Sequence, residues 1–224
     1  MQNTTTVTSS RSEKTRDRLL KTTESIFANR GFGGLTLREV AQRSHTNLAS
    51  ANYHFGSKEA MVLEMLQARV RPINQRRMKY LAEARERAQG KPLSTRDILR
   101  ALILPIGEEI AKSTHTRQTL AQLVARTFTE PAKFIQTMHR KFFGELCEKF
   151  MDELRKTHPK VEERDLYWNL HLAVSSMLGA LAQHRRLKDF SKGACDEDDT
   201  QDMIERLITF STHGFEAGIS QSSV

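Results

Sequence analysis

Hydrophobic residues recur every three to four positions over most of the chain, which is the spacing of helices with one buried face. The spacing begins near Ser12 and predicts a first helix that ends at Gly31, because glycine favours the position just after a helix. No segment alternates between apolar and polar residues over several positions, as a half-buried strand would. The pattern therefore predicts an all-α protein.

Two short helices are predicted after the first. Thr36 and Glu39 have the spacing of a capping box, in which the threonine caps a helix and the glutamate reaches back to it. Asn47 is a second capping candidate and opens another short helix, which Gly56 ends. Short helices joined by tight links indicate a small helical domain.

Longer helices are predicted in the rest of the chain. A helix that opens at Ser57 is expected to kink or break at Pro72, because proline lacks an amide hydrogen. We expect residues 1–10 to be a disordered lead-in, residues 11–57 the small domain, and residues 58–224 a larger helical domain. The later helices are expected at about 94–112, 115–129, 131–157, 161–188 and 198–220.

The net charge of +8 is unevenly distributed. Residues 1–101 hold 19 Lys and Arg against 9 Asp and Glu, whereas residues 102–224 hold 16 against 18. A basic N-terminal half favours a polyanionic partner, which could be DNA, RNA or an anionic membrane surface, although a solvated basic surface remains an alternative. Two cysteines, a polar N-terminus and the lack of a long apolar run predict a soluble cytoplasmic protein.

Residues 36–55, TLREVAQRSHTNLASANYHF, contain two short helices around a tight turn, which is a helix-turn-helix pattern. Leu48 and Ala51 occupy expected packing positions. The polar residues of the second helix suit base edges, and the residues around both helix ends suit phosphates. The candidate DNA-binding residues are Thr36, Arg38, Asn47, Leu48, Ala49, Ser50, Asn52, Tyr53, His54 and Lys58.

This region resembles the tetracycline-repressor (TetR) family of transcriptional regulators. The resemblance covers about residues 14–62 and rests on Ile26-Phe27, Gly31-Phe32, Thr36-Leu37, Val40-Ala41, Asn52-Tyr53-His54-Phe55 and Lys58-Glu59. It implies a homodimer with two helix-turn-helix domains on a palindromic operator, and a helical domain that dimerises and binds an inducer. The motif NLA-x-x-NYHFGSK is also similar to members that respond to fatty acids or acyl thioesters. The family usually has glycine where His45 stands, and histidine tolerates a positive φ better than most residues.

The residues expected to bind a ligand lie on largely apolar helices, although ordinary core packing explains most of them equally well. The candidate ligand-binding residues are Leu66, Arg69, Leu102, Ile106, Phe128, Phe142, Trp168 and His171. Arg69 and Arg126 would suit an acidic ligand. Small residues on the last two helices, among them Gly179, Gly214 and Gly218, would permit close contact in a dimer or packing within one chain.

The motifs favour a ligand-responsive DNA-binding regulator, and specifically a repressor that a small-molecule inducer, apolar or acyl, releases from its operator. The expected partners are double-stranded DNA, the inducer and a second copy of the chain, with no membrane. No residue set suggests a catalytic site, a cofactor or a metal site, because His45 and His54 lack further ligands at suitable spacing. The alternative is a helical lipid or acyl carrier without DNA function.

Overall fold

The computed structural model describes residues 5–127, 130–196 and 198–221, and within these residues it contains nine α-helices and no strand. The helices are α1 (Thr5–Arg30), α2 (Leu37–Arg43), α3 (Leu48–Phe55), α4 (Lys58–Ala88), α5 (Thr95–Ile110), α6 (Thr114–Thr127), α7 (Ala132–Thr157), α8 (Glu163–Phe190) and α9 (Thr200–Gln221). The all-α prediction is confirmed. No described helix combines the length and the apolar character that a membrane crossing requires.

Two local expectations differ from the structure. Helix α1 begins at Thr5, so residues 5–10 of the expected disordered lead-in are helical. Helix α4 continues through Pro72, so the break that was one of the two outcomes expected there does not occur. The residues that follow Pro72 are held from outside the helix, since Asn74 and Arg77 hydrogen-bond to other helices. These tertiary contacts offset the one backbone hydrogen bond that proline removes.

The chain divides into two compact units. Unit 1 comprises Met1–Val70 together with Arg126–Ile135, and unit 2 comprises Arg71–Ala125 together with Gln136–Val224. Unit 1 is larger than the domain expected at 11–57. The first part of α4 belongs to it, as does a segment that lies far away in the sequence.

Unit 1 has a core of its own, in which each helix buries its apolar stripe. Leu19, Ile26 and Phe27 of α1 are buried, as are Val40 of α2 and Ala51 of α3. Ion pairs fasten α1 to the first part of α4. Arg16 pairs with Glu64, and Arg69 donates from Nε and Nη2 to the two oxygens of Glu24, at 2.9 and 2.7 Å. The two-point contact of carboxylate and guanidinium holds the first part of α4 against α1.

Unit 2 is a bundle of long helices. Its core combines apolar residues of α5, α7, α8 and α9, including Ile103, Phe150, Leu166 and Ile208. Helix α5 lies against α9, and a side chain at Gly107 would collide with Ile204 of α9. Close packing of the two helices therefore depends on the missing side chain at Gly107.

Candidate nucleic-acid interface

The α2–turn–α3 segment has the geometry that its sequence predicts. Thr36 caps α2, because its hydroxyl accepts from the Glu39 amide at 3.2 Å. His45 adopts a φ of 53° in the turn, as expected for a position that glycine usually fills. Asn47 caps α3 through its side-chain oxygen, which accepts from the Ser50 amide at 2.7 Å. These caps satisfy amides that would otherwise lack partners, so α3 starts at a defined residue.

The capping box at α2 is only half formed. The Thr36 hydroxyl holds the Glu39 amide, but the Glu39 carboxylate turns away and pairs with Arg30 and with Arg43. The salt bridge to Arg30 joins the C-terminal end of α1 to α2. It thereby replaces a local contact with one that holds two helices together.

Helix α3 has an inner and an outer face. Ala51 and Phe55 are buried, whereas Asn47, Ala49, Asn52 and Tyr53 are exposed, and Ser50 and His54 are half-buried. Tyr53 has 84% of its surface exposed, which is unusual for so large an aromatic residue. The outer face therefore presents amides, a hydroxyl and a phenol, which are groups that can hydrogen-bond to base edges and phosphates.

Leu48 does not pack as expected. It is 42% exposed, while Ala51, the other expected packing residue, is fully buried. Leu48 is the first residue of α3 and lies at the edge of the contact that Ala51 and Phe55 make. Its exposed side chain adds an apolar group to the outer face.

The basic candidates differ in their surroundings. Arg38 and the N-cap Thr36 are exposed at the start of α2. Lys58 is engaged within unit 1, because its ammonium donates to the Phe32 carbonyl at 2.9 Å and lies 4.2 Å from the centroid of the Phe32 ring. Lys58 therefore links the start of α4 to the turn after α1, a role that the sequence did not suggest.

The segment Arg126–Ile135 packs on the end of α1 within unit 1. Arg126 donates to the carbonyls of Ala28 and Asn29, and Glu130 accepts from the Phe32 amide at 2.9 Å. The Phe134 ring stacks on Phe32, with ring centroids 4.8 Å apart. The C-terminal carbonyls of α1 lack partners within their helix, so the arginine satisfies groups that need a donor. This segment therefore holds the end of α1 and the following turn in place within unit 1.

The expected ligand-binding residues are divided between the two units. Leu66 and Arg69 belong to unit 1, where Arg69 is paired with Glu24. Leu102, Ile106 and Phe142 belong to unit 2, the first two in its buried core and Phe142 half-buried. Phe128 lies outside the described residues.

Trp168 and His171 lie on the outer face of α8. Trp168 is 60% exposed, and together with Arg164 and Tyr167 the two residues line a shallow groove of about 490 Å³. Further along the same helix Leu172 and Phe190 are exposed, and so is Phe210 on α9. Helices α8 and α9 therefore each carry large apolar side chains that the chain itself does not cover.

The small residues of these helices fall into two groups. A side chain at Gly179 or Gly214 would meet no other atom within 4 Å, so both glycines face open space. A side chain at Gly218 would collide with Asn169 of α8. Gly218 thus serves packing within the chain, whereas Gly179 and Gly214 do not.

Arg77 is a residue that sequence reasoning missed. It is 4% exposed and lies within unit 2, where its guanidinium donates to the Leu102 carbonyl at 2.8 Å and to Asn74 at 3.0 Å. Burial lowers the pKa of Arg77 to about 10. A signal was present in the sequence, because Arg77 falls on the same helical stripe as the buried Ile73 and Leu81.

Two family models match the chain. The model described as bacterial regulatory proteins, tetR family, matches residues 19–65. The model described as tetracyclin repressor-like, C-terminal domain, matches residues 100–214, which is about half of the chain. No curated protein matches the sequence.

Two solved structures of regulators have a similar fold. A TetR-family transcriptional regulator from Rhodococcus sp. is 16% identical, with 88% of this chain and 96% of that chain covered and a TM-score of 0.53. The TetR-family transcriptional repressor FadR of Thermus thermophilus, in complex with lauroyl-CoA, is 19% identical, with 89% and 94% covered and a TM-score of 0.51. At these identities the likeness concerns the fold.

Proposed function

Because this chain belongs to the tetR family of bacterial regulatory proteins, we propose that it is a repressor that leaves a palindromic operator when a small-molecule inducer binds. The observation that carries the proposal is the outer face of α3, where Tyr53 and its polar neighbours are exposed. Regulators of this family are normally not enzymes, and we assign this chain no catalytic activity. We place its action in the cytoplasm, where bacterial DNA is found.

In this proposal α3 enters the major groove. Asn47, Ser50 and Asn52 approach base edges, and Ala49 contacts a thymine methyl group. The Asn47 oxygen is committed to capping α3, so its amide group is the part left to meet a base. Tyr53 and His54 contact phosphates beside the groove.

The start of α2 is proposed to bind a phosphate as well. Thr36 and Arg38 are exposed where the amides of the first turn and the positive end of the helix dipole face outward. Leu48 supplies an exposed apolar contact from the start of α3. Lys58 reaches the DNA only if it gives up its bond to the Phe32 carbonyl.

We further propose a homodimer through the outer faces of α8 and α9. Exposed Trp168, Leu172 and Phe210 would be covered, and Gly179 and Gly214 would let the backbones of two copies approach closely. This assignment moves Trp168 and His171 from the inducer site to the dimer surface. Two copies related by a twofold axis would place two α3 helices on a palindromic operator.

The inducer is proposed to bind in unit 2 and to act through α4. Leu102, Ile106 and Phe142 remain the proposed contacts for an apolar or acyl inducer, since unit 2 contains all three. Helix α4 begins directly after α3 and is fastened to α1 by the Arg69–Glu24 ion pair. A shift of α4 would therefore move α1 and α3 with it and change the spacing of the two recognition helices.

Operator binding by the full chain tests the proposal. The operator is first selected from a random DNA library, and its affinity is then measured by fluorescence anisotropy at several salt concentrations. Binding should weaken steeply with salt, because phosphate contacts release counterions. Tyr53→Ala should weaken it, whereas the control Gln75→Ala, at an exposed position of α4 in unit 2, should bind DNA as the wild type does.

The opposite results would refute the proposal. If the wild-type chain selects no sequence and shows no salt-dependent binding, the protein is not a DNA-binding regulator. The alternative of a helical lipid or acyl carrier without DNA function would then be favoured, with unit 2 as the part that binds the lipid or acyl group.

A further inference from the structure

We propose that Arg77 binds the carboxylate of a small organic acid whose remaining part is apolar, and that this acid is the inducer. The inference rests on the proposed function, because it names the chemical class of the inducer. It starts from an unusual charge, since Arg77 is almost completely buried in unit 2. A charged side chain removed from water is normally paired with an opposite charge.

Three other arginines of unit 2 are paired with carboxylates in this way. Arg76 pairs with Glu108 and Glu109, Arg85 with Glu153, and Arg117 with Asp198. Arg77 is the most buried arginine among the described residues, yet no described carboxylate pairs with it. Its hydrogen-bond acceptors are the Leu102 carbonyl, the Asn74 amide oxygen and, at 3.8 Å, the Met177 sulfur, all of them uncharged.

The guanidinium still has donors to offer. Its Nε hydrogen goes to Leu102 and one Nη1 hydrogen goes to Asn74, while Nη2 has only the weak sulfur acceptor. Each terminal nitrogen therefore keeps at least one hydrogen that no described oxygen accepts. Two parallel donors of this kind match the two oxygens of a carboxylate.

Neighbouring residues hold the guanidinium in this position. Asn74 donates to the Phe142 carbonyl of α7 at 2.8 Å, which turns its oxygen toward Arg77. The Leu102 carbonyl belongs to α5 and Met177 to α8, so the contacts of this cation come from α5, α8 and its own helix α4. Asn74 is thus a positioning residue. Because the surrounding side chains are largely apolar, the rest of the acid should be apolar too.

Cys147 of α7 offers a local reporter. Its thiol is exposed, and it lies on α7 five residues after Phe142, whose carbonyl accepts from the positioning residue Asn74. Cys195, in the segment between α8 and α9, is also exposed and is free. The two thiols therefore form a matched pair, one beside the proposed site and one on a different segment.

The test compares acids with alcohols of the same carbon skeleton. Octanoate and 3-phenylpropanoate, with octan-1-ol and 3-phenylpropan-1-ol as neutral partners, are titrated into the full-length wild-type protein by calorimetry. At least one acid should bind about tenfold or more tightly than its alcohol, because a hydrogen-bonded ion pair adds to the apolar contact. Equal binding of each acid and its alcohol, or binding of neither acid, would overturn the proposal.

Variants localise the effect. Arg77→Met should reduce the affinity for the acid about tenfold or more and leave the affinity for the alcohol unchanged. The control Arg85→Met, on the same helix, should keep the wild-type preference. Arg77→Lys keeps the charge but lacks the paired donors, so it should bind the acid with intermediate affinity. If Arg77→Met does not fold, the affinity of Arg77→Lys for the acid is the test of the role of Arg77. Wild-type affinity in Arg77→Lys and Arg77→Met would refute the role of Arg77.

Thiol protection gives a second readout in the wild-type protein. The acid should slow alkylation of Cys147 by iodoacetamide and leave the rate at Cys195 unchanged, as followed by peptide mass spectrometry. Equal rates at Cys147 with and without the acid would place the binding elsewhere. Operator binding is measured separately. If the chain binds DNA but no acid, only this inference is refuted. If it binds the acid but no DNA, only the proposed function is refuted.

Discussion

Replacing Phe134 by alanine should lower the free energy of unfolding of unit 1 by about 3 kcal/mol. Phe134 is 5% exposed, and its ring centroid lies 4.8 Å from that of Phe32 and 6.3 Å from that of Phe27. Truncation of a buried phenylalanine costs about 3–5 kcal/mol, and the lower end applies because half-buried Phe32 can move into the space. About 1 kcal/mol of this loss should come from the stacking of the two rings, and the rest from the loss of buried apolar area.

The measurement should be local, because a chain with two compact units does not necessarily unfold in one step. Hydrogen exchange followed by mass spectrometry reports on each helix. Phe134→Ala should accelerate exchange at the C-terminal end of α1 and in α2, whereas the control Phe143→Ala should act on unit 2, where Phe143 packs against the core. A double-mutant cycle with Phe32→Ala isolates the contribution of the stacked pair.

Two results would contradict this reasoning. Unchanged exchange in α1 and α2 would mean that the segment Arg126–Ile135 does not stabilise unit 1. A coupling free energy near zero between Phe32 and Phe134 would mean that the stacked rings contribute nothing beyond their separate burial. The second result would leave the Arg126 and Glu130 hydrogen bonds as the contacts that hold the segment in unit 1.

Three further substitutions test the interface, the assembly and the turn after α1. Ser50→Ala should relax operator selection at one or two positions by about 1–3 kcal/mol, and recovery of the wild-type motif from a random library would exclude Ser50 from base readout. Gly179→Arg should fold, since the side chain enters open space, and light scattering should show monomers that bind the operator weakly. A variant that stays dimeric would mean that the dimer interface lies elsewhere. Lys58→Ala should destabilise unit 1 by about 2 kcal/mol, measured by hydrogen exchange in α1, because it removes the bond to the Phe32 carbonyl and the contact with the ring. Unchanged exchange, with a slope of DNA affinity against salt reduced by about one, would instead assign Lys58 to a phosphate.

Local rules predicted most of the secondary structure. Thr36 and Asn47 cap α2 and α3 as expected, and His45 adopts the positive φ that its position in the turn implied. These features depend on neighbours within three or four residues, and a sequence displays those neighbours directly. The long helices were predictable for the same reason, since their apolar stripes repeat over many turns.

Contacts between distant residues were not predictable. Glu39 has the spacing of a capping residue, but the approach of Arg30 draws its carboxylate away. Lys58 is a candidate DNA-binding residue, and its contact with Phe32 could not be predicted. A single sequence does not report which of several nearby cations or acceptors a long side chain will reach. The buried position of Arg77 could have been predicted from its helical stripe, but its lack of a carboxylate partner could not.

The two-part composition of unit 1 has a consequence for engineered chimeras. Exchanging the DNA-reading part of such a regulator by a fusion at residue 57 or 70 would transplant Phe27 and Phe32 without their aromatic neighbour Phe134. The transplanted helices would also lose the arginine and the glutamate that bind the end of α1 and the Phe32 amide. A graft intended to keep its specificity in a foreign host should therefore carry two stretches of sequence, the residues up to 70 and the residues 126–135.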